Sequence, residues 1–140
     1  MKTFILDTNI VLRFLLADDP GQSPKAKALF ELAEGGKVRL HLSHVMIAEL
    51  VWTLDSFFNF QRQEISTKLR GLVLHNGIQV DDQDVVLGAL TRFGLVNADF
   101  PDCHAAALAG ARSCAVTSYN RDFRKFKDVT RQTPDEILKS

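Results

Sequence analysis

The first apolar run of the chain predicts the element around which the rest is arranged. Phe4, Ile5 and Leu6 form a short hydrophobic segment that ends at Asp7, and apolar residues resume with helical spacing from Ile10. A run of this kind, followed by an acid and two residue types that favour helix starts, predicts a buried strand, a turn and a helix. Because open parallel sheets bind ligands beyond the carboxyl ends of their strands, Asp7 lies where we expect the chemistry.

Alternating apolar segments and capping residues predict the remaining elements. Helices are predicted from Ser23 to the Gly35-Gly36 pair, from His44 to Leu54 after a Ser43 cap, and then at Glu64–His75, Gln83–Phe93, Cys103–Arg112 and from Thr133. Strands are predicted at Val38–Leu42, Ile78–Val80, Cys114–Thr117 and near Val129. Strands that alternate with helices predict a three-layer α/β/α sandwich around a mostly parallel sheet, with residues 1–140 forming one domain.

Composition and charge exclude several classes of protein. The 17 basic and 17 acidic residues cancel, so a nucleic acid is expected to bind at a local patch rather than through overall charge. No apolar run approaches a membrane span and no signal-type segment precedes the first strand, so we expect a soluble, cytoplasmic protein. Cys103 and Cys114 have no partner at CxxC spacing, which favours two reduced core residues.

Acidic residues recur at equivalent places in this predicted fold. Asp7 follows the first strand, Glu49 lies in the helix after the second, Asp99 and Asp102 precede an alanine-rich helix, and Asp122 follows a late strand. Two carboxylates about 4 Å apart repel by about 4 kcal/mol at an effective dielectric of 20, and a divalent cation removes that repulsion. Oxygen ligands without spaced His or Cys favour Mg²⁺ or Mn²⁺, whose bound waters supply a nucleophile for a phosphodiester. Asp99 also has the simpler role of a helix cap.

Four segments of the chain together resemble the PIN domain family, in order and at similar separations. They are Leu6-Asp7-Thr8-Asn9-Ile10, Ala48-Glu49-Leu50, Asp99-Phe100-Pro101-Asp102 with its alanine-rich helix, and Ser118-Tyr119-Asn120-Arg121-Asp122-Phe123. Over essentially its whole length the chain is similar to VapC-type toxin ribonucleases of toxin–antitoxin pairs. The resemblance implies a Mg²⁺- or Mn²⁺-dependent endoribonuclease that acts on RNA, forms a homodimer and is held inactive by an antitoxin. It also implies that Asp7 and Asp102 bind the metal, with Glu49 as the family's glutamate.

The sequence departs from the family at one site position. Many relatives have Asp where this chain has Asn120, so either Asp122 is the fourth metal-binding and catalytic acid, or Asn120 supplies a neutral oxygen or positions water. Thr8 and Asn9 are predicted to hold Asp7 or a phosphate, and Ser118 is predicted to do the same from the opposite strand.

Other chemistry-bearing residues have alternative interpretations. His44 and His104 are interpreted as structural. Arg13 and the basic residues of segment 121–127 either contact RNA or form a solvated face. Trp52, Phe57, Phe58 and Phe60 exceed what a small core needs, which suggests a surface for an antitoxin helix or a dimer. Two other functions stay open: a non-catalytic binding module, and a phosphatase with Asp7 as nucleophile, which would require an acid where Asn9 stands.

Overall fold

Seven α-helices and five short strands lie in residues 1–139, the part of the chain that the computed structural model describes. These residues divide into two units, the first Met1–Gln83 and the second beginning at Asp84. All strand pairs in both units are parallel. The predicted α/β class is therefore confirmed, and the single domain over residues 1–140 stays a prediction.

The first unit contains a three-stranded sheet in the order β1-β2-β3. Its strands are β1 (Lys2–Ile5), β2 (Val38–His41) and β3 (Ile78–Gln79). Its helices are α1 (Thr8–Leu16), α2 (Ser23–Glu34), α3 (His44–Trp52) and α4 (Arg62–Val73), and a π-helical turn, Thr53–Phe57, follows α3. In the sheet Lys2 is in register with Val38 and Ile5 with His41.

Local sequence explains where these helices begin and end. The Ser43 hydroxyl accepts a hydrogen bond from the Met46 amide at 3.2 Å and caps α3, as predicted. Pro24 lies in the first turn of α2 and Gly35 occupies its C-cap, which also matches the sequence pattern. α3 passes into the π-helical turn after Trp52 rather than continuing to Leu54.

Most buried side chains of the first unit lie in its helices, and others lie in or just after its strands. They include Val11, Phe30, Leu40, Leu42, Ile47, Leu50, Leu54, Ile65, Leu69 and Val73. The prediction of a buried first strand is wrong: Phe4 is 47% exposed and Ile5 69%, and only Leu6, just beyond the strand, is buried. Hydrophobicity identified the strand, but its burial depends on what covers it.

The second unit joins two long helices to a two-stranded sheet. It carries α5 (Gln83–Leu95), α6 (Phe100–Arg112), β4 (Val116–Thr117), the 3₁₀ helix Arg121–Lys125, β5 (Arg131–Gln132) and α7 (Pro134–Lys139). Phe93 packs edge-on against Phe100, and small buried alanines line α6. Thr133 and Glu136 form a reciprocal capping box at the start of α7, as the sequence predicts.

Two predictions about this unit are wrong. α6 begins at Phe100 rather than Cys103, so Asp102 lies in its first turn and not in the preceding loop. β4 begins at Val116, and Cys114 before it is exposed instead of forming part of a core, whereas Cys103 is buried. In the described residues no helix has the length and hydrophobicity to cross a membrane.

Candidate active site

Asp7 occupies the position between β1 and α1 that the sequence pattern indicates. Its extended backbone (φ −92°, ψ 154°) makes it the N-cap residue of α1, but its side chain accepts no capping hydrogen bond. The carboxylate is exposed at the positive end of the helix. Helix capping by the side chain therefore does not account for an acid here.

Thr8 links the start of α1 to Glu49. The Thr8 side chain is buried, and its hydroxyl donates a hydrogen bond to Glu49 Oε1 at 3.3 Å across 41 positions of sequence. Glu49 itself is exposed on α3, which explains how this helix accommodates a charge among apolar neighbours. The acid that the Thr8 hydroxyl contacts is therefore Glu49, whereas the sequence predicted Asp7. Asn9 is exposed and lines a shallow groove with Ile10.

Asp102 lies at the centre of a polar cluster in the second unit. The Asn120 amide donates a hydrogen bond from Nδ2 to Asp102 Oδ2 at 3.2 Å. Asp99 occupies the N-cap of α6, and its side chain, like that of Asp7, accepts no capping hydrogen bond. Capping is therefore not the role of the Asp99 side chain, although its backbone is at the cap. Asp99, Asp102, Asn120 and Asp122 are called the Asp102 cluster below.

Partial burial and the neighbouring negative charges raise the pKa of Asp102 above its ordinary value. Partial burial is the largest cause, followed by the negative charges of Asp99 and Asp122, and the hydrogen bond from Asn120 opposes them. Asp102 is thus a carboxylate held among other carboxylates with insufficient positive charge nearby. Such an arrangement favours a cation.

Asn120 forms hydrogen bonds through both its backbone and its side chain. The backbone N–H of Asn120 donates to Ser118 Oγ at 2.9 Å. The side-chain Oδ1 of Asn120 accepts from the backbone N–H of Asp122 at 2.9 Å and so caps the 3₁₀ helix. The side chain therefore orients Asp102 with its nitrogen and the Asp122 backbone with its oxygen. Which of Asp122 and Asn120 fills the fourth site position stays a prediction.

Hydrogen bonds that the sequence did not indicate hold the loop from Ser118 to Asn120. Arg131 Nη1 donates to the carbonyl oxygens of Ser118 and Tyr119 at 3.5 and 3.3 Å, and the Tyr119 hydroxyl donates to Asp135. Arg131 lies in β5, next to β4. The parallel pairing of β4 and β5 places the guanidinium beside this loop, a relation that no local motif encodes.

The predicted histidines take part in other contacts. His44 Nε2 donates to the carbonyl of Asp81, and the His104 ring lies 6.3 Å from that of Phe100. These placements agree with the structural interpretation of both residues.

The donor set of the Asp102 cluster fits a hard divalent cation. Carboxylate oxygens and no sulfur are the ligands that Mg²⁺ and Mn²⁺ prefer, and Mg²⁺ binds through one or two carboxylates while keeping several waters. Within residues 1–139 no three His, Cys, Asp or Glu side chains are grouped so that they could enclose a metal ion. These residues therefore fit a cation that is bound by one or two carboxylates and keeps several of its waters.

Comparison with known families agrees with this description. The family model of the PIN domain matches residues 4–129, a range that includes Asp7, Glu49, Asp102 and Asp122. The chain belongs to the PIN domain family, whose members are usually metal-dependent nucleases. No curated protein shows significant similarity to the chain. The family predicted from the four sequence segments is therefore confirmed.

Proposed function

We propose that this protein is a Mg²⁺- or Mn²⁺-dependent endoribonuclease of the VapC type, the toxin of a toxin–antitoxin pair. The observation that carries the proposal is the Asp102 cluster: in a PIN domain chain, Asn120 orients an acid whose pKa is raised by burial and by the charges of Asp99 and Asp122. A nuclease fold explains why this electrostatic conflict is retained, since structural stability gains nothing from it.

In this proposal the residues of the second unit have two roles, metal binding and orientation of the metal-binding acids. Asp102 and Asp122 provide oxygen ligands, Asn120 fixes the orientation of the first, and Lys125 fixes the second through a 3.4 Å contact to Asp122 Oδ1. When bound, a divalent ion neutralises these carboxylates, polarises the scissile phosphate and lowers the pKa of bound water. Asp7 and Glu49 are metal-binding acids by family resemblance, and that assignment stays a prediction. Thr8 restrains Glu49 in either case.

Cleavage of a pool of structured RNAs tests this proposal. We expect cutting with Mg²⁺ or Mn²⁺, none with chelator, and none for Asp102→Asn, Asp122→Asn or Asp7→Asn. Asp82→Asn is a matched control, because Asp82 is exposed and its left-handed backbone (φ 48°) suits Asn equally well. Mn²⁺ binding at millimolar concentration, lost in Asp102→Asn, is the independent readout. A protein that binds no Mn²⁺ and cuts nothing contradicts the nuclease and favours the non-catalytic binding module.

An antitoxin helix is the proposed partner of an apolar surface on α3 and the π-helical turn that follows it. Val45, Trp52 and Phe57 are 74%, 65% and 72% exposed, whereas Phe58 packs edge-on against Phe57 at 4.9 Å and beside Phe60. Phe58 and Phe60 are half-buried, whereas Trp52 and Phe57 face solvent. Covering Trp52 or Phe57 gains about 3 kcal/mol each by buried area, enough to anchor a helix.

The partner is expected to neutralise the acids as well, by inserting an arginine among them. Co-expression with the product of the neighbouring gene tests the docking surface, because Trp52 is the sole tryptophan and its emission reports its burial. We expect a blue shift on complex formation and weaker binding by Phe57→Ser. A complex that leaves the Trp52 emission unchanged contradicts this surface. A homodimer, also proposed, is tested by sedimentation of the free protein.

A further inference from the structure

The 3₁₀ helix Arg121–Lys125 separates its side chains into three faces. A 3₁₀ helix has three residues per turn, so side chains three positions apart lie on the same face. Phe123 is buried, as is Phe126 immediately after the helix, and their rings lie 6.0 Å apart. These two aromatics fix one face toward the interior of the second unit.

The second face is held against the start of α6. Lys125 Nζ donates to the carbonyl of Asn97 at 2.7 Å and lies 3.4 Å from Asp122 Oδ1. The negative charge of Asp122 in turn raises the pKa of Asp102. The charges on this face are therefore already paired and belong to the Asp102 cluster.

The third face carries Arg121 and Arg124. Both side chains are exposed, and in residues 1–139 no ion pair within 4 Å holds either of them. Arg124 has a longer-range attraction to Glu136, the weakest of the influences on that carboxyl. The Cα atoms of Arg121 and Arg124 lie about 6 Å apart along the helix axis, and both side chains are exposed on either side of Asp122 and Phe123 in the sequence.

We infer that Arg121 and Arg124 bind the phosphate backbone of single-stranded RNA next to the Asp102 cluster. The chain has no net charge with which to attract a polyanion, so attraction must come from a local patch. The buried Phe123 and Phe126 anchor the backbone that carries the two arginines. Phosphate contacts of this kind position a strand without reading its sequence. This inference rests on the proposed function, because it names how the substrate of that site is held.

Salt-dependent RNA binding tests the inference without any cleavage. A labelled single-stranded RNA of roughly 12 nucleotides is titrated with protein in chelator, and the affinity is followed by anisotropy at salt from about 50 to 300 mM. Each lost phosphate contact lowers the slope of log affinity against log salt by about 0.7, which at 0.1 M salt corresponds to about 5-fold weaker binding. We expect this change for Arg121→Gln and for Arg124→Gln, about 25-fold for the double variant, and none for Arg124→Lys.

Arg112→Gln is the matched control. Arg112 is exposed and ends α6, ten residues from Asp102 and therefore about 15 Å along the helix axis. Slopes that stay unchanged in the double variant, or that fall equally in Arg112→Gln, overturn the inference. Stronger binding to phosphatidylserine vesicles than to RNA, with the same dependence on Arg121 and Arg124, also overturns it.

The two proposals fail in different ways. A protein that binds RNA through this face but never cuts refutes the nuclease alone. A protein that cuts RNA with Mn²⁺ but whose salt slope is independent of Arg121 and Arg124 refutes this face alone.

Discussion

Replacing Asn120 by Asp tests how the Asp102 cluster balances charge. Asp at position 120 keeps the oxygen that caps the 3₁₀ helix, loses the donor to Asp102, and adds a negative charge where Nδ2 now lies, 3.2 Å from Asp102 Oδ2. At this distance two unit charges in a water-like dielectric repel by about 1 kcal/mol. The lost hydrogen bond to the half-buried Asp102 carboxylate costs about 1 kcal/mol more.

The two costs together lower the free energy of unfolding of metal-free protein by about 2 kcal/mol, which corresponds to about 6 °C in Tm. Bound Mn²⁺ is expected to have the opposite effect on the stability of this variant. An added carboxylate strengthens metal binding, and a ligand at 100 times its Kd stabilises the folded state by about 2.7 kcal/mol. We therefore expect thermal melts in which Asn120→Asp is less stable than the natural protein in chelator and gains more from Mn²⁺.

Two control variants separate the contributions. Asn120→Ala removes both hydrogen bonds and adds no charge, so it is expected to lose stability without gaining more from Mn²⁺. Asn59→Asp adds the same charge at an exposed, left-handed position (φ 57°) of the first unit, where we expect little change. If Asn120→Asp melts at the natural temperature in chelator, or if Mn²⁺ stabilises it no more than the natural protein, the electrostatic reasoning is refuted.

Three further predictions concern packing, support and pH. Gly77→Ala places a Cβ 2.5 Å from Ala33 Cβ and 2.7 Å from its backbone carbon, so we expect about 1–3 kcal/mol of destabilisation in urea melts, whereas Gly71→Ala, in an open helical position, should stabilise by about 0.5–1 kcal/mol. Equal effects of the two alanines would contradict the close approach. Thr8→Val removes the hydroxyl that holds the carboxylate on α3, and we expect Mn²⁺-dependent cleavage to fall about 10–100-fold with little change in Tm; unchanged cleavage would contradict a supporting role. Hydrogen bonds from Thr133 lower the pKa of Glu136, so the capping box stabilises α7 above the ordinary carboxyl pKa and is lost as the pH falls through the lowered value; amide exchange in α7 should show this loss, and Glu136→Gln should abolish the pH dependence.

Local patterns predicted much of the fold because the interactions behind them are local. The Ser43 cap, the Gly35 end of α2 and the capping box of α7 each join residues within a few positions. Apolar spacing likewise located most helices to within two or three residues. The start of α6 was missed because Phe100 and Pro101 read as a turn, although Pro is favoured in a first helical turn.

The sequence by itself determined the family and the acids on which the proposed function depends. Asp7, Asp102 and Asp122 were recognised by their places after strands or near a helix start, and Glu49 by its place within a helix and by family resemblance. The family match covers all four. The order of these residues is a property of the chain alone, so it can be recognised from the amino-acid sequence.

Only the tertiary structure decided which neighbours each acid has. Thr8 contacts Glu49 across 41 positions, Asn120 contacts Asp102 across 18, and Arg131 reaches the Ser118 carbonyl through the pairing of β4 with β5. The division of the 3₁₀ helix into a buried, a paired and a free cationic face also depends on which side packs inward. Contacts of this kind are set by how distant segments pack, because no short-range rule of spacing or capping connects them.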